Sequence, residues 1–338
     1  MGFVSLAKYG IFAFHLQDTA AYGTGFNQAI DSGESWNWLM MNEKPSFKWT
    51  PNPESLDQAD RNHHEHILMP TCECYQGSVG FHVTPGTLTD LLTWIQTRDV
   101  DNQGMYSTVY MHREHEAAGD EIMAMDVKVF SAAFTFAVGA PVTCTLDLVG
   151  RKDYESAKPV PSTDYDETDT SIIAPYIWKD CSFKFAAAST PATVVNDDIK
   201  NLTININNMV QDATDAMKFN ASANPYRMYN TAGVRCTGSF SRDYVSTDIY
   251  AAFRLAYQTG AWYDQSQFGS IIASMVAQGV TLTITINRLA PNDYDHGVLG
   301  SRVGIIEEGV DFIALGARQQ ADPTTPAATF PIFLAVSP

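Results

Sequence analysis

Two stretches decide the fold: "CYQGSVGFHVTPGTLTDLLTWIQ", Cys74–Gln96, and "CTGSFSRDYVSTDIYAAFRLAYQ", Cys236–Gln258. Each reads as an extended segment that turns and becomes an amphipathic helix. Leu88, Leu91, Leu92 and Ile95 recur at helical spacing, and Ile249, Phe253, Ala256 and Tyr257 form a second stripe. Thr87 with Asp90 resembles a capping box, and Ser246 is a candidate N-cap with Asp248 in the first turn. Gly77-Ser78 aligns with Gly238-Ser239, and Thr89-Asp90 with Thr247-Asp248. After each helix the reading expects a strand ending in arginine, Arg113 and Arg288, then a polar loop and closing strands. The two halves therefore read as a duplicated unit, too long in period for a solenoid.

Around these stretches the pattern is β. Leu202, Ile204 and Ile206 alternate with Thr203, Asn205 and Asn207. Val280, Leu282, Ile284 and Ile286 alternate with Thr281, Thr283, Thr285 and Asn287, and Val142, Cys144, Leu146 and Leu148 with Thr143, Thr145 and Asp147. Period two of this kind marks half-buried antiparallel strands. A Pro-, Ser-, Thr- and Asp-rich run, Gly150–Pro175, serves as the boundary, giving units of 1–155 and 156–338. The first unit carries a long irregular insertion at about 19–62. The second ends in a Pro-rich extension at about 321–338 with an apolar tip. Trp36, Trp38 and Trp49 in the insertion, and Phe330 and Phe333 in the tip, are expected to dock on a neighbouring surface.

The chain has 338 residues, 45% apolar and 17% charged, with a net charge of −17. Length leaves room for two cores. Acidity argues against nucleic-acid binding, which needs clustered Lys and Arg. Five irregularly spaced cysteines read as reduced thiols rather than a disulfide framework. The first residues do not read as a signal peptide, and no apolar run reaches membrane-span length.

Catalytic patterning is absent. His63, His64 and His66, with Cys72 and Cys74 nearby, lack zinc-site spacing, and His112 and His115 form no HExxH motif. No nucleophile elbow, P-loop or dinucleotide fingerprint occurs. No cofactor, metal or catalytic residue is expected, and a structural protein is favoured over an enzyme.

"DIKNLTININNMVQDA" followed by "NPYRMYNTAGVRCTGSFSRDY", with the helix at Asp248 and the "TLTITIN" strand, resembles the major tail tube proteins of long-tailed, siphovirus-like bacteriophages. Asn207-Asn208 and Thr237-Gly238-Ser239 carry the resemblance, as does "AAYGTGFNQA" near the start. It implies a mainly β chain with short helices: two tandem tail-tube-type sandwich or barrel domains, each flanked by a helix. In that family six domains close a ring, and rings stack into a hollow tube. Two domains per chain would then close a trimer of pseudo-sixfold symmetry. Implied partners are the chain itself, the tape measure protein, the tail terminator, and distal tail or baseplate proteins. Double-stranded DNA would pass without specific binding. The location would be the virion tail, assembled in the host cytoplasm. Thr203, Asn205, Asn207, Thr281, Thr283, Thr285 and Asp147 are expected to face an uncharged-to-acidic lumen. The rival readings are a tube protein of a contractile tail or secretion system, and a tandem carbohydrate-binding module stacking sugars on Trp36, Trp38, Trp49, Trp262 and Tyr263.

Overall fold

A computed structural model describes residues 11–17, 36–56, 67–96, 105–112, 121–153, 173–186, 198–217, 228–230, 233–244, 269–295, 307–315 and 333–337, with single positions 225, 251, 254 and 258. In the first half the strands are β1 (Ile11–Gln17), β2 (Asn37–Met41), β3 (Lys48–Leu56), β4 (Ile67–His82), β5 (Tyr106–His112), β6 (Glu121–Ala137), β7 (Thr143–Gly150) and β8 (Lys152–Asp153). In the second they are β9 (Cys181–Ala186), β10 (Ile199–Asn207), β11 (Arg235–Asp243), β12 (Gly269–Ala277), β13 (Val280–Asp295), β14 (Glu307–Ala314) and β15 (Phe333–Ser337). A helix, α1 (Leu88–Gln96), follows β4.

Strand pairing repeats between the halves. β4 pairs β3 and β7, and β11 pairs β10 and β14. β5 pairs β1 and β6, as β12 pairs β9 and β13. The irregularities coincide too. β5 meets β6 through a bulge between Ser107 and Val109, and β12 meets β13 through one between Gly269 and Ile271. β6 meets β7 with a shift between Val129 and Ser131, and β13 meets β14 with one between Pro291 and Asp293. These bulges bend each long strand, so its first half belongs to one layer and its second half to the other.

The alternating segments are strands as their period demands: β7, β10 and the first half of β13 bury Leu146, Ile204 and Ile284 on one face. The α1 stripe is buried throughout, with Trp94 added, whose indole nitrogen donates to the Val127 carbonyl at 3.1 Å. Asp90 accepts from the Asn37 amide at 2.8 Å, tying the helix to β2. In the second helix, Ala251, Arg254 and Gln258 are helical and exposed; its apolar stripe lies outside the described residues.

Four features differ from the sequence reading. First, the counterpart of β5 is β12, not the strand ending at Arg288. "VTLTITINR" opens the counterpart of β6, after a tight turn at Gln278 (φ 52°) and Gly279 (φ 81°). Such positive-φ pairs match the twist of a two-residue hairpin. Second, residues 37–41 and 48–56 of the insertion are strands. Pro51 and Pro53 are tolerated because β3 is an edge strand, where a missing N–H costs no ladder bond. Third, the apolar tip is bound within the chain: β15 pairs Thr281–Thr285 of β13, and Gln96 donates to the Leu334 carbonyl at 2.9 Å. Fourth, the two halves share one core. A single apolar cluster includes Phe14, Leu91 and Phe134 together with Leu202, Ile284 and Val310.

Candidate functional site: a polar sheet face and its two ends

Following the pairings across the molecule gives one antiparallel sheet, β3-β4-β7-β6-β10-β11-β14-β13, in which β6 joins β10. One face packs on the shared core. The other is dominated by hydroxyl, amide and acidic side chains, with Ala133 and Ile313 in the row that runs between the most polar ones. One transverse row reads Thr143, Thr135, Thr203, Ser239, Asp311 and Asp293, each directly opposite the next. Another reads Ser78, Asp147, Ser131 and Asn207. Asp147 accepts from the Ser131 hydroxyl at 2.5 Å. Among the described residues Arg235 and Lys48 are exposed cations of this face, Lys200 pairs there with Asp243 and Glu307, and Asp295 extends its acidity to the β13 end.

Thr203, Asn205, Asn207 and Asp147 are thus brought together on one surface. Thr281, Thr283 and Thr285 are not: they lie in the first half of β13, in the other layer between β12 and β15. Trp36 and Trp38 are buried inside the chain with Ala13, Tyr110 and Met123. Trp49, by contrast, is 49% exposed. Phe330 lies outside the described residues, and Phe333 opens β15. His63, His64 and His66 also lie outside them, as do Trp262 and Tyr263. Sequence reasoning missed Ser131, Asp293, Tyr294 and Asp311. The signal was available in the matching "LDL" of β7 and "VDF" of β14, whose aspartates face Ser78 and Ser239 at equal register.

The β6–β10 junction is sealed from behind by the segment following β10. Asn207 accepts from the Met209 N–H at 2.8 Å, turning the chain. The Asn208 amide donates to the carbonyls of Ile95 (2.9 Å) and Val129 (3.0 Å), the former an end carbonyl of α1. Lys128, 2% exposed, donates to Asn230 at 2.8 Å and lies 4.4 Å from the centre of the Tyr106 ring. Arg151 reaches the Pro225 carbonyl at 2.8 Å and Asp126 at 3.1 Å. The Asn230 amide oxygen and the Tyr106 ring offset the cost of burying the Lys128 charge. The Asn-Asn pair thus serves the union of the two halves.

At the far end of β11, Arg242 pairs with buried Glu308 and with Asp198 at 3.3 Å, and the Tyr294 hydroxyl donates to Glu308. Burial and that carboxylate push the Tyr294 phenol well above its usual pKa. All five cysteines are free. Burial pushes the Cys236 thiol, and burial with Asp180 the Cys181 thiol, up to about 12, which removes thiolate reactivity. Among the described residues no group of three or more His, Cys, Asp or Glu could hold a metal, and no helix is long and apolar enough to cross a membrane.

The described residues thus form a mainly β chain in which one sheet turns a largely polar face outward. The sequence profile of the phage tail tube protein family matches residues 19–314. The chain belongs to that family: a structural protein of the virion tail whose kind self-assembles into a tube. No curated protein matches the chain.

Proposed function

We propose that this chain is two tail-tube units in one polypeptide, with the boundary near residue 155, and that three chains close a ring of six units. Rings stack, and the polar face lines the lumen. The observation that supports this reading is the repeated pairing order, with matching bulges, joined through β6 and β10 into one sheet polar on a single side.

The chemistry of that face suits passage rather than capture. Hydroxyls and amides hold water, and Asp147, Asp293, Asp295 and Asp311 repel phosphate. Val138 (60% exposed) and Trp178 (49% exposed) sit at the β6–β7 turn, where the Trp178 N–H reaches the Ala140 carbonyl, and form the contact to the next ring. The tape measure protein would occupy the lumen before DNA; terminator and distal tail proteins would cap the open ends.

Electron microscopy of the purified protein at high concentration tests the reading. Hollow, regularly striated tubes with a threefold repeat in cross-section are expected; persistent monomers would overturn it. The lumen assignment is tested by Asp147→Lys with Asp311→Lys, which should make tubes retain DNA in a salt-dependent way. Unchanged DNA retention would place this face elsewhere.

A further inference from the structure

Cys72 and Cys74 stand two residues apart on β4, and strand residues at that spacing share a face. They pair regularly with Asn52 and Thr50 of β3, so no bulge separates them. Both are buried against Ala213, with Val149 and Met217 packed around them. Their side chains hydrogen-bond to each other. The cover over them is the turn at 212–217 from the second half. Asp212 fastens it by accepting from the Thr214 N–H at 2.9 Å and from the Thr214 hydroxyl at 2.8 Å. Three sulfur-bearing side chains from two distant segments thus meet in one small cluster.

A disulfide does not suit the pair. Two strand steps put the Cα atoms about 6.6 Å apart with nearly parallel Cβ bonds, whereas a disulfide needs Cβ atoms about 3.8 Å apart. Two sulfurs leaning together across that gap suit a bridging atom, since two metal–thiolate bonds of about 2.3 Å span about 4.6 Å. Tetrahedral zinc needs four ligands, more than this cluster offers. Copper(I) is satisfied by two or three, and thiolate with thioether is the donor set that selects it. Burial, with Cys72 alongside, pushes the Cys74 thiol up to about 12. Only an ion with a strong preference for sulfur displaces such a proton.

The approach to the cluster attracts cations. Beside it opens a cavity of about 380 Å³, walled by Gln76, Phe130, Asp147, Val149, Asp212 and Ala213. Val149 and Ala213 belong to both the cavity wall and the thiol cluster, so the thiols lie directly behind that wall. The two carboxylates raise the local concentration of a positive ion.

We propose that Cys72 and Cys74, joined by the Met217 thioether, form a binding site for a soft monovalent cation, copper(I), entered through the acidic cavity on the polar face. The exchange is not redox. Two S–H bonds break, two S–Cu bonds form, both protons pass to solvent, and copper stays copper(I).

Anaerobic titration of the full chain with copper(I), in competition with a chromophoric copper(I) chelator, tests the site. One ion per chain should be withheld from the chelator, with sulfur neighbours alone in its X-ray absorption spectrum. Cys72→Ser and Cys74→Ser should each weaken retention about a hundredfold or more, Met217→Leu about tenfold, and Cys181→Ser not at all. Asp147→Asn with Asp212→Asn should slow loading and leave the sulfur shell unchanged. Loading should also raise the melting temperature of the wild-type chain, because the ion ties β4 to the 212–217 turn. Circular dichroism before loading separates lost binding from lost folding. Should a serine variant fail to fold, the wild-type sulfur shell and Met217→Leu decide. A wild-type chain that yields all its copper to the chelator would overturn the site. So would retention that survives both serine substitutions, or oxygen and nitrogen neighbours in place of sulfur.

Discussion

Gly238 and Gly77 show what the two matching stretches have in common physically. A Cβ on Gly238 would strike the Thr203 carbonyl and come within 2.5 Å of the Phe312 ring. A Cβ on Gly77 would come within 2.5 Å of the Ser46 carbonyl, at a φ of 145° that few side chains adopt. Thr203 and Ser46 occupy the same position in their halves, against Ser239 and Ser78. In each half a neighbouring backbone segment crosses so closely that only hydrogen fits. Gly238→Ala should therefore lower stability by about 1–3 kcal/mol, read by urea denaturation of the unassembled chain. An unchanged midpoint would mean the neighbouring strand shifts freely.

Elements were legible where one periodic signal acted alone. Alternation located β7, β10 and β13, and helical spacing located α1, because each buries one face against a fixed partner. The segment around Trp49 was not legible as a strand. Prolines and charges there resemble a loop, and only its place at the sheet edge makes them compatible with β structure. β12 was not legible because "SIIASMVA", with Ile272 and Val276 facing outward, lacks the clean alternation of "VTLTITIN"; the Gln278-Gly279 turn that separates the two decides the pairing. The grouping of polar residues on one face was half legible. Alternation shows which residues share a face of one strand, but not that β13 changes layers at its bulge and carries Thr283 away from Thr203. The C-terminal strand gives a prediction at this scale. Leu334 is 2% exposed in a strand laid on β13 and held by Gln96. Leu334→Ala should cost about 2–5 kcal/mol in the unassembled chain, measured by thermal or urea denaturation. A tip that served only contacts between subunits would show no loss before assembly.

At the scale of the molecule, the shared core and the β6–β10 junction bind the halves into one cooperative unit. Lys128, Tyr106 and Arg151 of the first half hold Asn230, Met228 and Pro225 of the second, so neither half keeps its packing alone. Calorimetry should show a single unfolding transition whose calorimetric and van't Hoff enthalpies agree. Two resolved transitions would mean that the halves fold independently.

The β6–β10 pairing has a kinetic consequence. A tether between two units holds them at an effective concentration on the order of millimolar, whatever the bulk concentration of protein. In the proposed ring every second seam is thus closed as the chain folds, and dilution cannot reopen it. Nucleating a ring becomes a meeting of three bodies rather than six. The steepness with which tube formation depends on protein concentration should reflect the smaller number.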